Sequence, residues 1–342
     1  MPHILLDAMG GDHAPKAIVQ GAVEALLAYP EAELTLVGPG DAIEAELSGA
    51  SYDASRLHIM PASQVITNEE SPALAVRRKR DSTMVVGLNM LKDKKADALI
   101  TAGSTGAILV ASLLILKTLA GIHRPALAPL LPTINGRVML IDCGANVDAK
   151  PMHLEQFALM GSAYMQAVEG IENPRVGLVN VGAEEEKGNE LTKAAYPLLK
   201  RLPINFVGNV EGRDILLDAA DVVVCDAFAG NIILKHTEGM AKALTTLLKR
   251  ELTSKPAYKL MAAGLRGAFR SFRDSMDYTQ YGGAPLLGLN GCVIKSHGSS
   301  DPTAIVSSVR QAIGFVEKDL VGKIAAKLSE IHDAGNPSHH EE

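Results

Sequence analysis

Seven times along this chain, a short run rich in branched aliphatic residues ends in a loop of small or polar residues and passes into a helical pattern. "HILLDAM" leads through "GGDHAP" into "KAIVQGAVEALLAY", "AELTLVG" through "PGD" into a helix from about Ala42, and "DALIT" through "AGSTG" into "AILVASLLIL". The same order returns after "RVMLIDCG", "RVGLVNVG", "DVVVCDAF" and "GCVIKSHG". Parallel strands need a helical crossover between them, and strands covered on both faces read as continuous apolar runs. The alternation therefore predicts an α/β class fold, a doubly wound three-layer α/β/α sandwich around a mostly parallel sheet. The units recur at irregular spacing, which excludes a solenoid.

With 342 residues, 47% of them apolar and 21% charged, the chain can bury a core that needs neither disulfides nor metals. Cys143, Cys225 and Cys292 form no C-x-x-C pair, and an odd count fits a reducing, cytoplasmic setting. No charged and apolar leader opens the sequence, so secretion is not expected. No proline-rich linker divides the chain. Residues 1–330 are read as a single α/β domain, with possible subdomains and a helical projection at about 240–276. Residues 331–342 are read as a disordered polar tail, and its His339 and His340 as tail composition rather than a metal site.

The span from Ala98 to Leu116 carries no charge, but "TAGSTG" interrupts it and Gly106–Leu116 is too short to cross a bilayer. It reads as a buried strand, a loop and a buried helix. A net charge of −6 gives no overall attraction to nucleic acid or anionic lipid.

In doubly wound sheets ligands bind beyond the carboxyl ends of the strands. The unusual residues collect there, in "GGDH", "AGSTG", "DCGAN", "GAEEEKGN", "AFAGN" and "HGSSD". Each precedes a helix whose free N–H groups and positive dipole end attract anions. Neither the P-loop pattern nor a clean G-x-G-x-x-G is present, so both ATP and NAD fingerprints are missing. Several small-residue loops together point to a phosphate-bearing ligand. Asp7, Asp12 and His13 allow a second reading, a Mg²⁺ site, although Asp12 can instead cap the next helix. Lys187, beside Gly188 at the end of a strand, is placed to meet an anion or is one charge in a solvated run. Arg77, Arg78, Lys79 and Arg80 are either an exposed helix face or a dock for an acidic partner.

Six stretches, in order along the chain, resemble the bacterial phosphate acyltransferases of phospholipid synthesis: "DAMGGDHAP" (Asp7–Pro15), "AVRRKRDSTMVVG" (Ala75–Gly87), "TAGSTGA" (Thr101–Ala107), "IDCGANVD" (Ile141–Asp148), "EEEKGNE" (Glu184–Glu190) and "HGSSD" (His297–Asp301). The resemblance spans about residues 3–325. It implies transfer of an acyl group from acyl-[acyl-carrier-protein] to inorganic phosphate, giving an acyl phosphate and free carrier. It also implies the sandwich shared with isocitrate and isopropylmalate dehydrogenases and phosphotransacetylases, a homodimer, and no metal or nucleotide cofactor. Cytoplasmic location with peripheral attachment to the inner membrane face, and hand-over to the next acyltransferase of the pathway, are implied in the same way. Nucleic acid is not an expected partner. On this reading "GGDHAP" belongs to an anion cradle rather than a metal site.

A phosphate nucleophile and a thiolate leaving group need a cradle, alignment and an oxyanion stabiliser more than a strong base. Lys187, His13 and His297 are the catalytic candidates. Asp7, Gly10, Gly11, Gly103, Ser104, Thr105, Gly106, Asn146 and Asn189 are the expected substrate or phosphate contacts. Cys143 offers an acyl-enzyme alternative, against its reading as a small buried residue.

Between Lys249 and Arg273 seven cations face one carboxylate, Glu251, in a chain that is acidic overall. Pro256 is expected to separate two helices. In the second, Tyr258, Met261, Leu265, Phe269, Phe272 and Met276 form one apolar stripe. The stripe suits a dimer partner. A tip bearing Lys259, Leu260, Leu265, Arg266 and Arg270 suits anionic lipid or the acidic carrier. Two readings outside the acyltransferases remain at this stage. One is an NAD(P)-dependent dehydrogenase on the same fold, against which the fingerprint is missing. The other is a non-catalytic membrane-surface scaffold, which leaves the glycine loops without a purpose.

Overall fold

The structure, a computed structural model, describes residues 1–275 and 281–334, without the side chains of residues 259, 260, 263, 273–275 and 331–334. The first part of the chain forms β1 (His3–Asp7), α1 (Lys16–Ala28), β2 (Glu33–Gly38), α2 (Gly40–Leu47), β3 (Leu57–Pro61), α3 (Pro72–Arg78), α4 (Thr83–Lys92), β4 (Ala98–Thr101) and α5 (Thr105–Ile115). The middle forms β5 (Ala126–Leu127), β6 (Leu130–Pro132), β7 (Arg137–Ile141), α6 (Pro151–Ala167), β8 (Arg175–Asn180), α7 (Glu190–Arg201), β9 (Asn205–Glu211) and β10 (Val222–Val224). The last part forms α8 (Ala227–Thr253), α9 (Pro256–Gly264), α10 (Arg266–Ser275), β11 (Ala284–Leu287), β12 (Cys292–Lys295), α11 (Pro302–Glu317) and α12 (Leu320–Ala334).

All seven strands expected from the sequence are present, in two sheets rather than one. A seven-stranded sheet has the order β3-β2-β1-β4-β12-β11-β5, and a five-stranded sheet the order β6-β7-β10-β8-β9. Pairing is parallel except where β5, β6 and β11 take part. The chain passes between the sheets at Ala128 and Pro129, where Cys143 N–H donates to the Leu127 carbonyl and Leu140 N–H to that of Pro129.

The strands are apolar on both faces because both faces are covered. Ile4 and Leu6 join the layer of α1 and α11, whereas Leu5 between them points to Val37, Leu99 and Val293 on the side of α4 and α5. In the smaller sheet α6 covers one face and the start of α8 the other. This is the three-layer α/β/α arrangement. No helix among the described residues is long and apolar enough to cross a membrane. The uncharged span at 98–116 is β4, a loop and α5.

The structure changes four local expectations. "AFAGN" is not a loop: Asp226 caps Ala229 N–H at 2.7 Å, so α8 starts at Ala227 and takes Gly230 and Asn231 into its first turn. The apolar stripe is not on one helix, because the chain breaks at Leu265 between α9 and α10. Asp12 does not cap α1, whose N-cap is Pro15, without a side-chain bond. The polar tail does not begin at 331, since α12 continues to Ala334. Met276, His339 and His340 lie outside the described residues, as do the side chains of Lys259 and Leu260 within α9.

Candidate active site

β1, β4 and β12 are adjacent and parallel, so the three loops that follow them leave the same edge of the sheet side by side. Asp7, at the end of β1, is buried, and burial raises its carboxyl above the ordinary carboxylate range against the pull of its hydrogen bonds. It accepts from Thr101 Oγ1 at 2.6 Å and from Met9 N–H at 3.2 Å, and Thr101 Oγ1 in turn accepts from Gly103 N–H at 3.0 Å. A side chain at Gly10 would meet Gly103 N at 2.7 Å and Asp7 Oδ2 at 2.8 Å, so only glycine lets these loops touch. Gly11 holds a φ of +100°, and Asp12 N–H donates to Gly298 O at 2.7 Å, which ties the third loop to the first.

Beside this junction, where the two sheets meet, lies a cleft of about 300 Å³. Leu127, Leu130, Leu131 and Leu234 give it apolar wall. Its polar groups are Thr105 at the start of α5, Asn231, Lys235 and Glu238 on α8, and Lys295, Ser296 and His297 at the end of β12. Lys235 Nζ lies 2.8 and 3.0 Å from the Glu238 carboxylate oxygens and 3.4 Å from His297 Nε2. His297 Nδ1 lies 2.8 Å from Ser299 Oγ. Partial covering of the ring and the Lys235 ammonium hold the His297 imidazole below its usual value. Lys295 is 8% exposed; burial first, then the Lys235 charge, bring its ammonium down to about 8, against Asp7 and Asp12, which oppose the fall.

Of the catalytic candidates, the structure brings only His297 to the cleft. His13 is exposed in the turn before α1. Lys187 is exposed in the loop after β8, where its carbonyl accepts from Asn180 Nδ2 at 3.0 Å. Asp7 turns its carboxyl oxygens inward, where they clamp two loops together. Asn146 is likewise occupied, its Nδ2 donating to Asp142 and to Pro125 O, both at 2.7 Å. Asn189 caps α7 by accepting from Thr192 N–H at 2.9 Å, and Ser104 caps α5.

Asp7, Asp12 and His13 do not converge on one position. Asp7 turns inward to Thr101, Asp12 lies beside Gly298, and His13 is exposed; no group of three His, Cys, Asp or Glu among the described residues is arranged around a metal position. Cys143 does line the cleft, but burial, reinforced by Cys225 and Asp142, pushes its thiol well up and away from a reactive thiolate.

The basic residues of the expected docking surfaces fall in two places. Arg77, Arg78 and Arg80 are exposed, whereas Lys79 is bound to Glu70 at 2.6 Å and Val65 O at 2.7 Å. Between α8 and α10 runs a groove of about 430 Å³ lined by Leu248, Leu252, Phe269 and Phe272 and edged by Arg266 and Arg270. Leu265 and Met261 are exposed near it.

Sequence reasoning missed Asn231, Lys235, Glu238 and Lys295. One signal was available for Lys295, a lone cation inside the apolar run "GCVIKSHG". For Asn231 the signal was its place in "AFAGN"; none marked Lys235 or Glu238, which reach the cleft only because α8 begins against the end of β7.

The fold is similar to a phosphotransacetylase from Streptococcus pyogenes, with a TM-score of 0.59, 17% identity and 94% of each chain covered. It is also similar to 4-hydroxythreonine-4-phosphate dehydrogenase from Klebsiella pneumoniae, with a TM-score of 0.53 and 13% identity over 92% of this chain and 98% of that one. At such identities the likeness concerns the fold alone. A family described as "Fatty acid synthesis protein" matches residues 3–323. Phosphate acyltransferases from Bacillus cereus and Alkaliphilus oremlandii are 50% and 49% identical, over 95% and 96% of this chain and 98% of each relative. With identity of that degree over nearly its whole length, the chain belongs to the phosphate acyltransferases.

Proposed function

We propose that the protein moves a fatty acyl group from acyl-[acyl-carrier-protein] to inorganic phosphate and releases acyl phosphate for phospholipid synthesis. The observation that carries this reading is the mixed character of the cleft. Leucines line one part of it, while Lys235, His297, Lys295 and the start of α5 gather positive charge and N–H donors at another. An acyl chain and a phosphate can therefore lie together with the thioester carbonyl between them. The phosphate oxygen attacks that carbonyl, the cations stabilise the tetrahedral oxyanion, and the thiolate departs. His297 and Lys235 hold phosphate; Gly10, Gly11 and Gly103–Gly106 shape the wall. Lys187 and His13 are proposed as outer cations that draw phosphate or the carrier toward the cleft.

The test is phosphate-dependent release of free thiol from acyl-carrier protein in the presence of EDTA, with acyl-CoA and NAD(P) as parallel controls. Release that requires phosphate and survives chelation is the expected result. Silence with the carrier, or turnover only with added metal and NAD(P), would refute the reading. In the same assay Lys187→Ala is expected to raise the KM for phosphate by about two- to fivefold, the effect of removing one exposed charge near the cleft.

We propose further that the enzyme is a homodimer bound peripherally to the inner membrane face. The exposed Leu265 and Met261 and the flanking Arg266 and Arg270 on α9 and α10 support this: apolar side chains enter the headgroup boundary while cations meet anionic lipid. The carrier, an acidic partner, is assigned to Arg77, Arg78 and Arg80. At about 1 kcal/mol per cation near an anionic surface, Arg266→Glu with Arg270→Glu is expected to lower affinity for anionic vesicles by roughly 30-fold or more, with kcat on soluble donor unchanged. Sedimentation with vesicles checks it. Unaltered vesicle binding would leave these arginines without a lipid role.

A further inference from the structure

Lys295 occupies an unusual position for a lysine. It closes a strand whose other residues are all buried, and no carboxylate among the described residues forms an ion pair with it. Its Nζ donates instead to two main-chain carbonyls, of Ala102 at 3.3 Å and of Ser296. An ammonium has three donors. Two are held by the loops on either side, and the third is available to a ligand in the cleft that Lys295 lines. Lys235, the other lysine lining the cleft, is more exposed and ion-paired with Glu238.

We propose that Lys295 is the general acid of the acyl transfer, a role that rests on the thioester-donor reading above. An oxygen of hydrogen phosphate dianion forms a bond to the thioester carbonyl carbon. The C–S bond then breaks, with its electron pair leaving on sulfur. Lys295 gives a proton to that sulfur, producing a neutral thiol and a neutral amine. The amine regains a proton from the P–OH of the acyl phosphate, which leaves as a dianion. Thioester and hydrogen phosphate thus become acyl phosphate and thiol with no net proton taken from water, and the lysine ends as it began.

The electrostatics suit this cycle. An alkyl thiol ionises near about 8.5, close to the value of about 8 to which burial brings Lys295, so proton transfer between them runs nearly level. The titratable and charged groups around it are Asp7 and Asp12 after β1, Lys235 and Glu238 on α8, His297 two residues on, and the un-ionised Cys143 thiol in the same cleft. A general acid must carry its proton, so turnover is expected to fall as pH rises through about 8.

The experiment compares two acyl donors with the same chain: an alkyl thioester of the pantetheine type, and an aryl thioester whose thiolate leaves without help. Wild type is expected to show the alkaline fall with the alkyl donor and not with the aryl donor. Lys295→Arg keeps the charge and the clamp on Ala102 and Ser296 but does not release its proton in this range. It is expected to lose about 10²-fold or more in kcat with the alkyl donor, with little loss on the aryl donor and little change in the KM for phosphate. Equal losses on both donors, or the same alkaline fall for both in wild type, would overturn the proposal and leave Lys295 as a loop clamp. Should the variant not fold, the two wild-type profiles decide alone. Wild type inert toward both thioesters would instead remove the thioester reading itself, and with it this role.

Discussion

Gly230→Ala will destabilise the enzyme by about 3 kcal/mol and lower kcat/KM by about 10²-fold. A Cβ at Gly230 would stand 1.9 Å from the carbonyl oxygen of Asp142 and 2.9 Å from Cys225 Sγ. The first obstacle is backbone at the end of β7, so no rotamer relieves the clash and α8 must move. That helix brings Asn231, Leu234, Lys235 and Glu238 to the cleft, so the shift displaces the groups that line it. Gly239, on the same helix, has nothing within 4 Å of a built Cβ. Gly239→Ala is expected to gain up to about 1 kcal/mol with unchanged kinetics, since alanine is the better helix former. Thermal melts and steady-state kinetics on both variants check the pair. Equal behaviour of the two would mean that the contact between α8 and β7 does not set the cleft.

Asp142→Ala will cost about 4 kcal/mol, a fall of roughly 10 °C in Tm. Asp142 is 0% exposed, yet five donors converge on it. Oδ1 accepts from the N–H groups of Leu127, Gly144 and Ala145 at 3.0–3.2 Å, and Oδ2 from Asn146 N–H at 2.8 Å and Asn146 Nδ2 at 2.7 Å. Burial nevertheless raises its carboxyl above the ordinary value. Alanine would leave the buried Leu127 N–H and the half-buried N–H groups of Ala145 and Asn146 without this acceptor, and each such group costs about 1–3 kcal/mol. Asp142→Asn is expected to fall between wild type and alanine, because its carbonyl can serve the Oδ1 donors while its NH₂ faces those of Asn146. Denaturant unfolding measures all three. A loss below about 1 kcal/mol for alanine would show that water or loop relaxation replaces the carboxylate.

The strands that the sequence left unmarked, β3, β5, β6, β9 and β11, are short or lie at or next to a sheet edge. β5 and β6 have only two and three residues, too short for any period to register. β9, "NFVGNVE", mixes asparagine, glycine and glutamate into its run, because it is an edge strand with exposed positions. β11, "APLL", carries a proline, and its register is set by pairing with β12 and β5 rather than by its own composition. The seven legible strands lie inside covered sheets, where nearly every side chain is apolar.

The site divides in the same way. The glycine loops "GGDH", "AGSTG" and "HGSSD" were legible because tight approach of backbone to backbone admits few residue types. Sequence shows that the Asp7 carboxyl sits at a strand end but not that it turns inward to Thr101 and Met9 N–H. Lys187 and His13 were read as catalytic candidates beside glycines, and their exposure came from loop paths that no local pattern describes.

By itself, then, the sequence determined the class of fold, the edge of the sheets where ligands bind and the family, because periodicity, turn chemistry and contiguous motifs are local properties of the chain. Only the tertiary structure decided that Lys235 and Lys295, sixty residues apart, share one cleft and that Lys295 lies there nearly dry. Burial and charge proximity depend on which elements pack together, and those two quantities turn an ordinary lysine into a proton donor.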